Sequence, residues 1–208
     1  MSDDSRATVE QYAKWIGVLR KKGYRVDGIV LTEHRTFDRT GDYRDLEDKY
    51  ELLVLKASEL DTNCGHMLVY GVNDHLLSTF DFKNVRMDAP ALVREAEASG
   101  AIAVPAHPGR ERVGFVEFVD KHDFSGVIAV EQINGGSRAW ENERAEQLVA
   151  EKKYHGIGGS DAHFVNAIGS CLTEFQRDIR TIEDLVAELK AGDYRPIRLE
   201  ATKVNGAA

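Results

Sequence analysis

Read for its apolar and polar positions alone, the chain alternates between a helical period and a strand period. Val9, Tyr12, Ile16 and Leu19 recur at helical spacing, which predicts a helix over 7–22 with Ser5 placed to cap it and Gly23 to stop it. A nearly unbroken apolar run over 26–32 then reads as a buried strand and stops at Glu33-His34-Arg35. The charged stretch 36–50 reads as loop with some helix. A strand opening at 52–55 and running out near Ser58-Glu59, followed by another over 65–71, predicts a hairpin. Further along come a helix over 89–99 with Pro90 in its first turn and Gly100 as its stop, and a strand over 101–105. Phe115, Val116 and Val119 predict an amphipathic helix over 113–121. A strand over 126–130, a long helix over 139–153 and a strand over 154–157 follow. The chain closes with a strand over 171–175, a helix over 182–190 stopped by Gly192, a short strand over 196–199 and a mobile tail from about 200 to 208. Alternating buried strands and helices without a repeat or linker predict one α/β domain over 1–208.

The chemistry collects where these strands stop. Five of them finish on a residue able to bind a metal: His34, Glu59, His107, Glu131 and the pair Asp161/His163. The pair sits in Gly158-Gly159-Ser160-Asp161-Ala162-His163, where an apolar run breaks at two glycines. In extended backbone, positions i and i+2 share a face, so both side chains can enter one pocket at the C-terminal end of a strand, where barrel and α/β enzymes hold their sites. Taken alone, the hexapeptide fits equally a Gly-Ser turn with a capping Asp and a surface His. His66 joins the others beside a glycine turn, whereas His75, His122 and His155 lack a strand-end setting and read as surface or core residues. A mixed His/Asp/Glu set without thiolates suits zinc, manganese or iron, and a carboxylate such as Glu59 can bridge two ions.

Composition narrows the classes. A net charge of −8 and a pI of about 5.4 give no general nucleic-acid footprint, although they leave room for a local basic cluster at a site. Cys64 and Cys171 are too few for a disulfide framework and read as reduced cytoplasmic thiols. Neither a leader-like N-terminus nor a run of about 20 apolar residues is present, which predicts no membrane insertion.

Thr32-Glu33-His34, Glu59 ahead of Gly65-His66, Ala106-His107-Pro108-Gly109-Arg110 and Gly159-Ser160-Asp161-Ala162-His163 together resemble the PHP (polymerase and histidinol phosphatase) superfamily, in the family's order from about residue 7 to 169. The resemblance implies a distorted (β/α)7 barrel with one to three divalent ions that hydrolyses phosphate esters, and with it, given the acidic net charge, a small phosphorylated substrate and, at most, a nucleotide or short oligonucleotide as partner. By it, His34 and His163 would serve one metal, Glu59, His66 and His107 a second, and Asp161 with the bridging Glu59 a third. Arg110 would offset charge on the phosphate, Arg35 would be a weaker second contact, and Glu131 and Asn134 would support the ligands. One departure is large: the family's first strand, ending in Asp-x-His-x-His, has no counterpart here, and Ser2-Asp3-Asp4-Ser5 resembles the loop that follows it. That departure leads us to expect a natural reading frame starting upstream of Met1. The alternative is a degenerate barrel that binds metal without turnover. Without a first strand, the strand over 26–32 should have an open edge that recruits a second copy or the chain's own C-terminal segment, or leaves the fold poorly stable.

Overall fold

In the computed structural model, which describes residue 5 and residues 7–204, the first helical stripe forms α1 (Val9–Lys21). Thr8, not Ser5, caps it: its hydroxyl accepts from the Gln11 amide at 3.2 Å while the Gln11 side chain accepts from the Thr8 amide at 2.8 Å. The elements that follow are β1 (Gly28–His34), α2 (Arg44–Tyr50), β2 (Leu53–Thr62), β3 (Gly65–Tyr70), α3 (Asp74–Thr79), α4 (Ala89–Ala98), β4 (Ile102–Pro105), β5 (Ala129–Asn134), α5 (Ala139–Lys152), β6 (His155–Gly159), β7 (Cys171–Phe175), α6 (Ile182–Ala191) and β8 (Tyr194–Arg198). None of the described helices is long and apolar enough to cross a membrane. The loop expected at residues 2–4 and the last residues of the tail, 205–208, lie outside the described residues.

Among the described residues the strands form three hydrogen-bonded sheets that do not close into a barrel. One sheet runs β1-β2-β3-β4, and β5-β6 and β7-β8 are pairs. β1 and β2 are parallel, β3 is antiparallel to both its neighbours, and the β2–β3 hairpin turns at Gly65, where φ is +99°. The ladders still curve round one interior, because β5 lies beside β4 and β6 lies beside β7 and β8. The Thr173 hydroxyl ties β7 to β6 by accepting from the Gly158 amide and donating to the Gly158 carbonyl, both at 3.0 Å.

On the other side the wall is open. Among the described residues β1 pairs with β2 alone, and a cavity of about 1170 Å³ is bordered by β1, β7 and the apolar side chains of Val30, Leu55, Tyr70, Ile157 and Leu172. The outward face of β1 is covered, since Ile29 and Leu31 pack with Val54 against Val9, Tyr12 and Ile16 of α1.

Two segments depart from their sequence pattern. Over 113–121 only a 3-10 turn at Phe115–Glu117 forms, because the Val116 amide donates to the Pro108 carbonyl and the Gly114 amide to Arg110, so the backbone is wired to the preceding loop. Leu199–Thr202, at the start of the expected tail, is a 3-10 helix. The Arg25 amide donates to Thr202 and the Val204 amide to Gly23, so the segment is pinned to the linker after α1 rather than laid along the open edge of β1.

Candidate metal centre

Strand alternation builds the site. On β2, Leu55 and Ala57 face the interior, and the same row continues to Glu59 and Asp61. On antiparallel β3 the interior row reads Tyr70, Leu68, His66, and His66 stands directly opposite Asp61. On β1 the row containing Val30 and Thr32 ends at His34, in register with Glu59. Three neighbouring strands thus bring two histidines and two carboxylates to one rim. His107 breaks the alternation: Ala106 already faces inward, and a left-handed φ of +31° at His107 lets its buried side chain join the cluster as well.

The contacts are close. Glu59 Oε1 lies 2.8 Å from His66 Nδ1 and 3.2 Å from His107 Nε2. Asp61 Oδ1 lies 2.7 Å from His34 Nε2 and 3.3 Å from His66 Nε2. The His34 and His66 rings are 5.3 Å apart and those of His66 and His107 5.0 Å. Burial alone would raise the Glu59 carboxyl, but hydrogen bonds from His107 and His66 outweigh it and hold the group well below the usual carboxylate range.

Buried supports lie behind this row. Glu131 Oε2 accepts from the His107 amide at 2.7 Å and from Asn134 Nδ2 at 2.9 Å, and the Asn142 side chain in turn accepts from the Asn134 amide at 2.9 Å. This network fixes the strained backbone of His107. Burial pushes the Glu131 carboxyl up to about 7 against the opposing pull of His107 and Asn134.

The hexapeptide reaches the site by a different local geometry from the one expected. Asp161 lies past the end of β6 with φ +48°, so the extended i, i+2 argument does not describe it. A turn still brings the pair together, with His163 Nδ1 3.5 Å from Asp161 Oδ1 and 3.1 Å from its carbonyl. Asp161 lines the same cavity as Glu59, His107 and Glu131, and its Oδ2 pairs with Arg110 at 2.8 Å. Arg110 also reaches Asn134 Oδ1 at 3.4 Å and Ser137 Oγ at 3.5 Å. Arg35, exposed, approaches Asp61 at 3.9 Å.

The geometry therefore unites His34, Glu59, His66 and His107 in one bonded cluster and sets Asp161, Arg110 and His163 as a second group. Asp61 is the residue that sequence reasoning missed. The signal was present: Asp61 is two residues past Glu59 on one strand, the spacing used for Asp161 and His163. His75 pairs with Glu95, His122 stacks near Phe124 and His155 near Tyr194, all apart from the cluster.

A PHP-associated family matches residues 139–194, while no curated protein matches the chain. Among solved structures, PsfC from Pseudomonas syringae shares the fold with a TM-score of 0.64 at 16% identity, over 91% of this chain and 82% of its own. A protein from Bifidobacterium adolescentis assigned as a metal-dependent phosphoesterase is similar with a TM-score of 0.57 at 14% identity, over 90% and 92% of the two chains. The lesion-specific endonuclease Q from Pyrococcus furiosus is similar with a TM-score of 0.62 at 14% identity; 94% of this chain covers 55% of the endonuclease. The chain thus carries a PHP-associated segment over residues 139–194 on a fold similar to that of these three proteins.

Proposed function

We propose that the chain is a metal-dependent phosphoesterase whose ions are held by His34, Glu59, His66, His107, Asp161 and His163. The observation that carries the reading is the convergence of two imidazoles on one oxygen of the buried Glu59, with a third histidine on the neighbouring Asp61. The donor set fits a divalent ion such as zinc, manganese or iron: it is rich in nitrogen and carboxylate oxygen and lacks thiolate. The buried Nδ1 of His107 has no hydrogen-bond partner among the described residues. An orphaned buried polar atom within the cluster fits a site that takes an ion.

When bound, divalent ions supply a water ionised near neutral pH and neutralise charge on the phosphoryl oxygens. The chain's own residues provide the rest. Glu59 presents a carboxylate oxygen to both His66 and His107 on the side where an ion would sit. Glu131 and Asn134 hold His107 in place. Arg110, now on Asp161, is positioned to turn its planar guanidinium to a phosphate, and Asn134 and Ser137 guide it.

The substrate class proposed is a small phosphomonoester or phosphodiester. The expectation against nucleic acid is widened here, since endonuclease Q, which has a similar fold, was solved with a duplex bearing an abasic lesion at its active site. An oligonucleotide end belongs among the candidates, although a chain of net charge −8 is poorly suited to long duplexes.

A degenerate, turnover-free barrel is the second reading, supported by the open edge of β1 and the large cavity beside it. The test is a chelated protein reloaded with Zn²⁺, Mn²⁺ or Fe²⁺ and offered p-nitrophenyl phosphate, bis(p-nitrophenyl) phosphate, a 3′-phosphorylated oligonucleotide and an abasic duplex. Turnover of at least one that vanishes in His107→Ala supports the phosphoesterase. Ion binding with no turnover of any substrate supports the degenerate barrel.

A further inference from the structure

Asp61 changes the arithmetic of the cluster. His66 points its two ring nitrogens at different carboxylates, Nδ1 at Glu59 and Nε2 at Asp61, at 2.8 and 3.3 Å. Each carboxylate has a second histidine, His107 for Glu59 and His34 for Asp61. The ligand atoms of Glu59, His66 and His107 all lie within 4.8 Å of one another, and so do those of His34, Asp61 and His66. Donors about 2.1 Å from a tetrahedral ion stand about 3.4 Å apart. The His107-to-Glu59 and His66-to-Asp61 separations of 3.2 and 3.3 Å are already of that size. Each side is thus a three-ligand position, and both need the same ring.

A neutral imidazole has one nitrogen lone pair to give, because its other nitrogen carries the proton. We propose that His34, Asp61 and His66 form a second ion position that shares His66 with Glu59 and His107, so that the two positions fill alternately and never together. With the ion on the Glu59 side, His66 binds through Nδ1, and its Nε2 proton is donated to Asp61. With the ion on the Asp61 side, His66 binds through Nε2 and the Nδ1 proton goes to Glu59. In either state the vacant carboxylate accepts the hydrogen bond that orients the shared ring, the role such partners play behind metal-bound histidines. The alternation requires that the cluster binds ions, as proposed above, but not that the protein cleaves phosphate esters. An ion count therefore tests it independently of turnover.

The experiment is a Co²⁺ titration of chelator-treated protein, followed by calorimetry and by the visible d–d bands. Removing the first side with Glu59→Gln plus His107→Ala should leave the ion count of the wild type unchanged but shift the bands, since the ion moves to His34, Asp61 and His66. Removing the second side with Asp61→Asn plus His34→Ala should likewise leave the count unchanged. His66→Ala should lower the count by one and weaken the tightest binding at least 10-fold. Loss of one ion in either side variant overturns the proposal, as does an unchanged count in His66→Ala. Because a double variant can fold poorly, ¹⁵N spectra of Zn²⁺-loaded wild-type protein give a second reading. One metal-bound and one protonated nitrogen on His66 is the expected pattern, and a ring bound to zinc through both nitrogens overturns it.

Discussion

At the scale of single residues, Gly159 shows how close the supports of the site are packed. A Cβ there would lie 2.1 Å from Glu131 Oε1, the carboxylate whose other oxygen holds the His107 amide. Gly159→Ala must therefore displace Glu131. We expect it to lower divalent-ion affinity by about 10- to 100-fold, the usual effect of losing a group that orients a ligand, and stability by about 1–3 kcal/mol from overpacking. Calorimetric titration and urea unfolding would measure the two. Gly17 is the contrasting position, mid-helix in α1, where an added Cβ would meet nothing outside its own helix within 4 Å. Gly17→Ala should raise stability by about 0.5–1 kcal/mol through helix propensity and leave ion binding unchanged. A variant that weakened ion binding would mean that α1 is coupled to the site.

At the scale of elements, the turn after β1 is organised by one carboxylate. Asp38 accepts from the Gly41 amide and the Tyr43 hydroxyl, each at 2.7 Å, and from the Thr40 amide at 3.2 Å, while Lys56 on β2 donates to the Gly41 carbonyl at 2.9 Å. Burial would raise the Asp38 carboxyl, yet the hydrogen bonds from Tyr43 and Gly41 and the charge of Lys56 together hold it below its ordinary range. A carboxyl whose folded value lies below its unfolded value of about 3.9 adds stability that is complete above that value. The contribution disappears as pH falls through the lower, folded value. Asp38→Asn should therefore cost stability at pH 7 and little at the acid end, flattening the slope of unfolding free energy against pH below about 4. Parallel slopes for the two proteins would show that the turn is not held by the ionised form. The sequence pattern described this stretch only as charged loop with some helix, because side-chain-to-backbone turns leave no hydrophobic period to read.

At the scale of the whole molecule, the open edge of β1 has a measurable signature. The Arg35 amide donates to the Glu59 carbonyl and the Leu53 amide to Asp27, so odd-numbered positions of this strand point their backbone groups at β2. Successive backbone groups point to opposite edges, which directs Val30 and Thr32 toward the cavity. Their amides should exchange with solvent faster than those of Ile29 and Leu31 by an order of magnitude or more. Equal protection along the strand would show that something pairs with that edge in solution. Ion binding should also tie the two groups of candidate ligands to global stability. At an ion concentration of about 100 times Kd the folded state gains about 2.7 kcal/mol, and chelation should lower Tm by several degrees in a thermal melt. A Tm indifferent to chelator would remove the metal reading of the cluster.

The sequence by itself determined most of the element order, the helical face of α1 and the placing of His34 and His107 at strand ends, because hydrophobic period and turn residues are local signals carried by neighbouring positions, whereas Glu59 lies inside β2, which runs on to Thr62. It also carried the family resemblance, through short motifs whose residue types and order survive without any knowledge of distance; one of them, at residues 159–163, falls inside the segment 139–194 that a PHP-associated family matches. Only the tertiary structure decided that Asp61 stands opposite His66, that Arg110 pairs with Asp161 and that the segment after β8 is pinned to Gly23 and Arg25 rather than laid along the open edge of β1. Those facts depend on strand register, on a positive φ at His107 and Asp161 and on which backbone edges meet. The Arg110–Asp161 pair joins residues 51 positions apart, where no periodicity in one chain segment can register it, and the Asp61–His66 register follows from a hairpin turn that the hydrophobic period does not encode.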